Sequence, residues 1–195
     1  LRVGITGGIG AGKSIVCRLF QVLGIPVYDA DREAKNIMVE DEAVVAALKK
    51  TFGEKVYQSS GELDRAYLAE MVFNDKDKLD ELNSIVHPAV IRAGETWADA
   101  QEGAYSLKEA ALLFESGSYK KLDFTIMVTA DEAIRIERVM ERDQVTEQQV
   151  RARMEKQWPD NQKEALADAV IINDGTQSLI SQVMTIHERL LNYEK

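Results

Sequence analysis

Cysteine is nearly missing from this chain. Cys17 is its single representative, so neither a disulfide framework nor a thiolate metal cluster is available. Positive charge is in deficit, with 24 Lys and Arg against 33 Asp and Glu for a net charge of −9. That balance argues against a generic nucleic-acid or anionic-membrane binder, whose affinity comes largely from cations neutralising phosphates. Long apolar runs are absent too. The longest, Ala43–Leu48, is far shorter than the roughly 20 residues of a membrane span. The three prolines and twelve glycines do not gather into a linker, and no repeat or low-complexity tract occurs. The opening Leu-Arg-Val-Gly-Ile-Thr-Gly-Gly is too short and glycine-rich for a secretory signal. A soluble, cytoplasmic chain is the expectation.

What remains has ordinary globular values, 195 residues with 45% hydrophobic and 29% charged, which fits one domain. Short apolar runs alternate with longer helical patterns, so the expected class is α/β. Strands are expected at Arg2–Thr6, Ile25–Tyr28, Tyr105–Leu113, Phe124–Val128 and Ala169–Ile172. Five such strands separated by helices suit a parallel sheet with crossover helices. From about 31 to 100 the spacing is helical throughout, as in Leu68, Met71, Val72 and then Leu79, Leu82, Ile85, Val86, which marks a helical insertion. A second polar helical stretch covers about 131–165. The core is then left to about 1–30, 101–130 and 166–195.

The strongest local signal is Gly7-Gly8-Ile9-Gly10-Ala11-Gly12-Lys13-Ser14, a complete G-x-x-x-x-G-K-S between an apolar strand and an amphipathic helix. Glycines allow a turn whose N–H groups of Gly8, Ile9, Gly10, Ala11, Gly12, Lys13, Ser14 and Ile15 can surround phosphate oxygens at a helix N-terminus. Lys13 adds a cation for the β- and γ-phosphates, and Ser14 offers a hydroxyl to Mg²⁺. The first 30 residues carry +2 within a chain of −9, which suits an anion site. A nucleotide's phosphates are therefore the expected ligand. No Asn-Lys-x-Asp occurs, Asn74-Asp75-Lys76-Asp77 having the wrong order, so a guanine-specific switch is disfavoured.

The second strand ends in Asp29-Ala30-Asp31, at the sheet edge where ligands of open α/β folds bind. A carboxylate there can take or orient the proton of an attacking hydroxyl, or else cap a helix beginning near Arg32. Five of the eleven arginines fall within 135–153. Arg138 and Arg142 are favoured as cations for a transferring phosphoryl group, delivered by a closing segment. Arg135 and Arg151 are assigned instead to i,i+4 pairs with Asp131 and Glu147. Glu109 is a candidate to organise Mg²⁺, with Lys108 as its alternative partner. At this level three functions stay open: a kinase for a small alcohol-bearing acceptor, an adenylate-kinase-like phosphotransferase, or a nucleotide-binding module without turnover.

Residues 4–14, Asp29-Ala30-Asp31, His87-Pro88, Leu112-Leu113-Phe114-Glu115, Arg138 with Arg142-Asp143, Arg153-Met154-Glu155-Lys156-Gln157 and the run 168–175 occur in an order that resembles the dephospho-coenzyme A kinase family. The resemblance implies a P-loop nucleotide kinase fold, a central five-stranded parallel sheet flanked by helices, with a helical acceptor-binding insertion and a helical lid. It implies ATP-dependent phosphorylation of the ribose 3′-hydroxyl of dephospho-CoA, with no nucleic-acid or membrane partner. By motif position Asp31 would be the general base. Arg65 and His87 would lie near the acceptor, Arg138 and Arg142 would reach phosphates from the lid, and Asn173 and Gly175 would sit by adenine. Against their bland rivals, His87-Pro88 also suits a helix start and Asn173-Asp174-Gly175 also suits a turn. Two departures stand out. The family usually has Thr where this chain has Ile15, which removes a hydroxyl from the α-phosphate's side, and Pro where this chain has Ala110-Ala111 before Leu112-Leu113.

Overall fold

In the computed structural model residues 1–73 and 75–193 are described. Asn74, the first residue of the Asn74-Asp75-Lys76-Asp77 stretch, lies outside them, as do residues 194 and 195. In chain order the elements are β1 (Arg2–Gly7), α1 (Lys13–Val22), β2 (Val27–Asp29), α2 (Ala30–Glu40), α3 (Glu42–Phe52), α4 (Arg65–Phe73), α5 (Lys76–Asp99), β3 (Ser106–Glu109), β4 (Phe124–Thr129), α6 (Glu132–Asp143), α7 (Glu147–Met154), α8 (Asp160–Glu164), β5 (Ala169–Ile172) and α9 (Leu179–Leu191). The chain forms two compact units, Leu1–Asp29 with Ala100–Lys195, and Ala30–Asp99.

The first unit is built on a parallel sheet of order β2-β3-β1-β4-β5. Its centre is β1, paired with β3 through Ile5↔Glu109 and with β4 through Thr6↔Met127. Because every strand runs the same way, all the carboxyl ends gather at one edge, where β1 hands over to the glycine loop. Val3 and Ile5 of β1 are buried with Val16, Cys17 and Phe20 of α1, Phe124, Ile126 and Val128 of β4, and Val183, Ile186 and Leu190 of α9. Truncating a fully buried ring such as Phe20 to Ala costs about 3–5 kcal/mol. On the other face of β1, Gly4 leaves room for the side chains of Leu113 and Leu122, which a Cβ would strike.

The third expected strand is shorter than its apolar run. Its last sheet bond is Ala110 N–H to Ile5 O at 3.1 Å, and residues 111–117 form turns that bury Leu113 and Phe114. Apolar composition registers burial, and a buried turn satisfies it as well as a strand does.

The second unit is built of α-helices, with a single-turn 3₁₀ helix at Glu54–Val56 and a bridge between Tyr57 and Leu63. Its core joins Val44, Leu48 and Phe52 of α3 to Val56, Tyr57, Leu63, Leu68 of α4, and Val86 and Ala89 of α5. Asp41 caps α3 by accepting from Ala43 N–H and Val44 N–H at 3.0 and 3.1 Å, the usual remedy for orphan first-turn donors. Tyr57 O–H donates to Met38 O at 2.5 Å, and burial raises this phenol above its ordinary pKa. Of the expected apolar positions Leu79 departs, being 40% exposed. Among the described residues no helix is long and apolar enough to cross a membrane.

Candidate active site

The glycine loop joins β1 to α1, and its dihedral angles explain its composition. Gly10 and Gly12 hold φ of +80° and +85°, in the left-handed region that side chains resist. Space is equally restrictive. A Cβ on Gly8 would strike the Arg135 guanidinium, one on Gly10 the Arg135 carbonyl, and one on Gly12 the Asn173 amide. Helix α6 and the end of β5 thus brace the loop from outside.

The loop spends few of its amides on itself. Ala11 N–H closes a turn onto Gly8 O at 3.0 Å, and Ile15 N–H onto Gly12 O at 3.0 Å. Ile9 N–H donates to Gln157 Oε1 at 3.0 Å, while Asn173 Nδ2 donates to Ala11 O at 2.9 Å. No hydrogen bond within the described residues takes the N–H of Gly10, Gly12, Lys13 or Ser14. Those amides open a helix N-terminus, where partial positive charge favours an anion.

Lys13 Nζ donates to Glu109 Oε1 at 2.6 Å, with both side chains about 15% exposed (14% and 15%). Glu109 therefore finds an ion-pair partner in Lys13, from the loop. Asp29 lies opposite Glu109 in the β2–β3 register, so two carboxylates meet at the sheet edge beside one ammonium. Behind them Cys17 is buried, and burial with the Glu109 carboxylate nearby pushes its thiol well above the ordinary range. Ser14 is exposed at the start of α1, and Ile15 is 53% exposed.

The arginines separate by environment. Arg138 donates from Nη1 to Asn173 O at 2.9 Å and is half-buried. Arg142 is exposed and bidentate on Asp143, at 2.7 Å from Nε and 3.0 Å from Nη2. The Asp143 carboxyl is held down to about 2, mainly by that Arg142 hydrogen bond with help from Arg153. Arg151 pairs with Glu147 as its spacing implies, and with Glu132 besides. Arg135 does not pair with Asp131 as expected. Asp131 caps α6 through Ala133 N–H at 2.9 Å, and Arg135 is buried with Nη1 2.9 Å from Asp160 Oδ2. A surface i,i+4 pair is worth a few tenths of a kcal/mol, too little to compete with a buried charge's need for a partner.

Gly175 sits in a turn at φ +86°, with Asp174 accepting from Thr176 N–H and Oγ1 at 2.8 and 2.7 Å. In the second unit, α2 begins at Ala30, so Asp31 stands within the first turn and does not cap a helix starting at Arg32. Arg65 opens α4 and is exposed. His87 is exposed in the middle of α5, and Pro88 lies inside that helix. His87-Pro88 therefore does not begin a helix. Having no N–H, Pro88 leaves the Ser84 carbonyl without its usual donor.

The sequence by itself marks neither Gln157 nor Asp160 as a site residue. Gln157 falls inside the Arg153–Gln157 run, yet only the folded chain sets it against Ile9. The neighbouring Trp158 N–H donates to Glu115 Oε1 at 2.9 Å, so this segment is tied on both sides. Ile9 itself packs into a small apolar cluster with Ile136, Val139 and Val150.

A family model described as dephospho-CoA kinase matches residues 1–178. The chain is 43% identical over 199 residues to the dephospho-CoA kinase of Chlorobaculum tepidum, covering 98% of this chain and 95% of that protein. Among solved structures it is similar to TT1252 from Thermus thermophilus, with TM-score 0.86 and 34% identity over 96% of each chain. It is likewise similar to the dephospho-CoA kinase from Campylobacter jejuni, with TM-score 0.72, 25% identity and coverage of 98% of this chain and 97% of that one. A phosphate-binding loop at the centre of a parallel five-stranded sheet, with relatives matched along nearly the whole length, makes this chain a member of the dephospho-CoA kinase family.

Proposed function

We propose that the protein transfers the γ-phosphoryl group of ATP to the ribose 3′-hydroxyl of dephospho-CoA, giving coenzyme A and ADP. The observation that carries this reading is the loop itself: the N–H groups of Gly10, Gly12, Lys13 and Ser14 left for a ligand, beside the Lys13 ammonium. Such an arrangement holds a polyphosphate and leaves its terminal group at the strand edge.

The roles follow from charge flow. The loop amides and Lys13 hold the β- and γ-phosphate oxygens, so that charge building on the leaving ADP oxygen meets donors already oriented. Asp31 takes the proton of the 3′-hydroxyl as the new O–P bond forms and the bond to the β-phosphate oxygen breaks. Arg138 and Arg142 supply cations to the transferring group, Arg142 by leaving Asp143 for a phosphate. Arg65 and His87 hold the acceptor, and Asn173 with Gly175 border the adenine. No covalent enzyme intermediate is needed.

Ser14 Oγ, exposed at the head of α1, and the Glu109 and Asp29 carboxylates are hard oxygen donors of the kind Mg²⁺ prefers. Among the described residues no group of three or more His, Cys, Asp or Glu is placed to hold an ion. That fits a metal arriving with the nucleotide and held mainly by phosphate oxygens and water. When bound, Mg²⁺ would neutralise part of the phosphates' charge. The single cysteine suits a reducing cytoplasm.

The experiment offers the purified protein ATP and Mg²⁺ with dephospho-CoA, adenosine or AMP in turn. Coenzyme A and stoichiometric ADP with dephospho-CoA alone are expected. Faster phosphorylation of AMP or adenosine would replace this reading with the adenylate-kinase-like one.

A further inference from the structure

Behind the glycine loop lies a charge arrangement that the reaction described above does not use. Arg135 and Lys163 have side chains 7% and 0% exposed, yet among the described residues they share one ion-pair partner, Asp160. Arg135 Nη1 is 2.9 Å from Asp160 Oδ2, and Lys163 Nζ is 3.3 Å from Asp160 Oδ1. Thr129 Oγ1 also donates to that carboxylate, at 3.4 Å. Neither Arg135 Nε nor Lys163 Nζ has a hydrogen-bond partner. Glu115, held by Trp158 N–H at Oε1 and with Oε2 buried and without a hydrogen-bond partner, makes no ion pair with either cation. Counted over the ion pairs alone, two buried cations share one carboxylate, a surplus of +1 within this cluster.

An unbalanced buried charge is among the most expensive features a fold can carry. Its location suggests what balances it. The guanidinium touches the backbone of Gly8 so closely that a Cβ there would overlap Nη1 and stand 3.2 Å from Asp160 Oδ1. The surplus therefore sits against the outer side of the loop whose inner amides await an anion. Inside a protein such a charge is weakly screened, so it acts through the thickness of one peptide chain.

We propose that Arg135 and Lys163, set by Asp160, are positioning residues for the nucleotide's phosphates: their surplus charge is fixed behind Gly8 and is neutralised when a polyphosphate occupies the loop. This rests on the loop being the nucleotide site. The charge raises affinity for the more highly charged nucleotide without touching it, and it makes the empty protein less stable than its packing alone would give.

The test pairs stability with binding. Arg135→Gln keeps donors but drops the charge, and Lys163→Met keeps the aliphatic stem. Each should leave the melting temperature of the nucleotide-free protein unchanged or higher, while weakening ATP binding about tenfold by calorimetry and ADP binding less. Turnover at saturating ATP should change far less than KM for ATP. Arg135→Lys, which retains the charge, should recover most of the affinity. Asp160→Asn should act oppositely, lowering the nucleotide-free melting temperature while ATP binds at least as tightly as to wild type. Variants of Arg135 and Lys163 that melt lower without nucleotide yet bind ATP as wild type does would overturn the proposal and leave the cluster a brace for the loop. If Arg135→Gln fails to fold, Asp160→Asn decides: weaker ATP binding in that variant also overturns it. Wild-type protein that binds no ATP would remove the loop reading itself, a failure distinct from the others.

Discussion

Lys13 Nζ and Glu109 Oε1 meet at 2.6 Å across 96 residues of sequence, at the edge where β1 and β3 end. The ammonium is thus held in place by a carboxylate beside the loop amides. Replacing Lys13 by Ala is expected to reduce kcat by about 10²–10³, the usual loss when a single oriented donor to developing charge is removed. Steady-state turnover with dephospho-CoA measures it, and transfer near the wild-type rate would disprove the loop assignment.

Asp31→Asn should lower kcat by about 10²–10⁴ while KM for ATP stays within a few-fold, because a general base acts on the acceptor's proton and not on nucleotide binding. A variant that loses thermal stability but keeps turnover would make Asp31 a helix-dipole residue only.

Arg142→Glu separates a phosphate ligand from a surface salt bridge. Exposed pairs contribute about 0–1 kcal/mol, so the melting temperature should move little while transfer slows at least tenfold. Equal proportional effects on stability and rate would favour the salt bridge.

The Arg142–Asp143 pair also predicts an acid response. Asp143's carboxyl is held at about 2 against an ordinary value of 3.8, chiefly by the Arg142 hydrogen bond. A lowered folded-state value means the pair's contribution is complete above about pH 4 and fades as pH falls toward about 2. Asp143→Asn should flatten that part of the stability profile, as followed by circular dichroism. An unchanged profile would show that the pair does not form in solution.

Cys17 should resist alkylation in the native protein, since burial and the neighbouring Glu109 carboxylate both disfavour its thiolate. Labelling with iodoacetamide is expected only on unfolding. Rapid native labelling would mean that α1 opens away from the sheet.

Much of this was legible in the chain. β4 and β5 follow their apolar runs nearly to the residue, and the loop announces itself because its glycines answer local demands of φ and space. The expected third strand overshoots through Ala111, Leu112 and Leu113, where turns take over and bury Leu113. Arg135 is the more instructive case. Spacing alone offers Asp131 as its partner, but burial of α6 against the loop selects Asp160.

The sequence by itself determined the elements, the phosphate loop and the family, because each of these is written in residues close together or in a fixed order along the chain. Only the tertiary structure decided which side chains meet there: Glu109 with Lys13, Gln157 with Ile9, Asn173 with Ala11, Asp160 with Arg135 and Lys163. A parallel sheet brings strand ends together from distant parts of the chain, and a buried charge or donor takes whatever partner that convergence supplies.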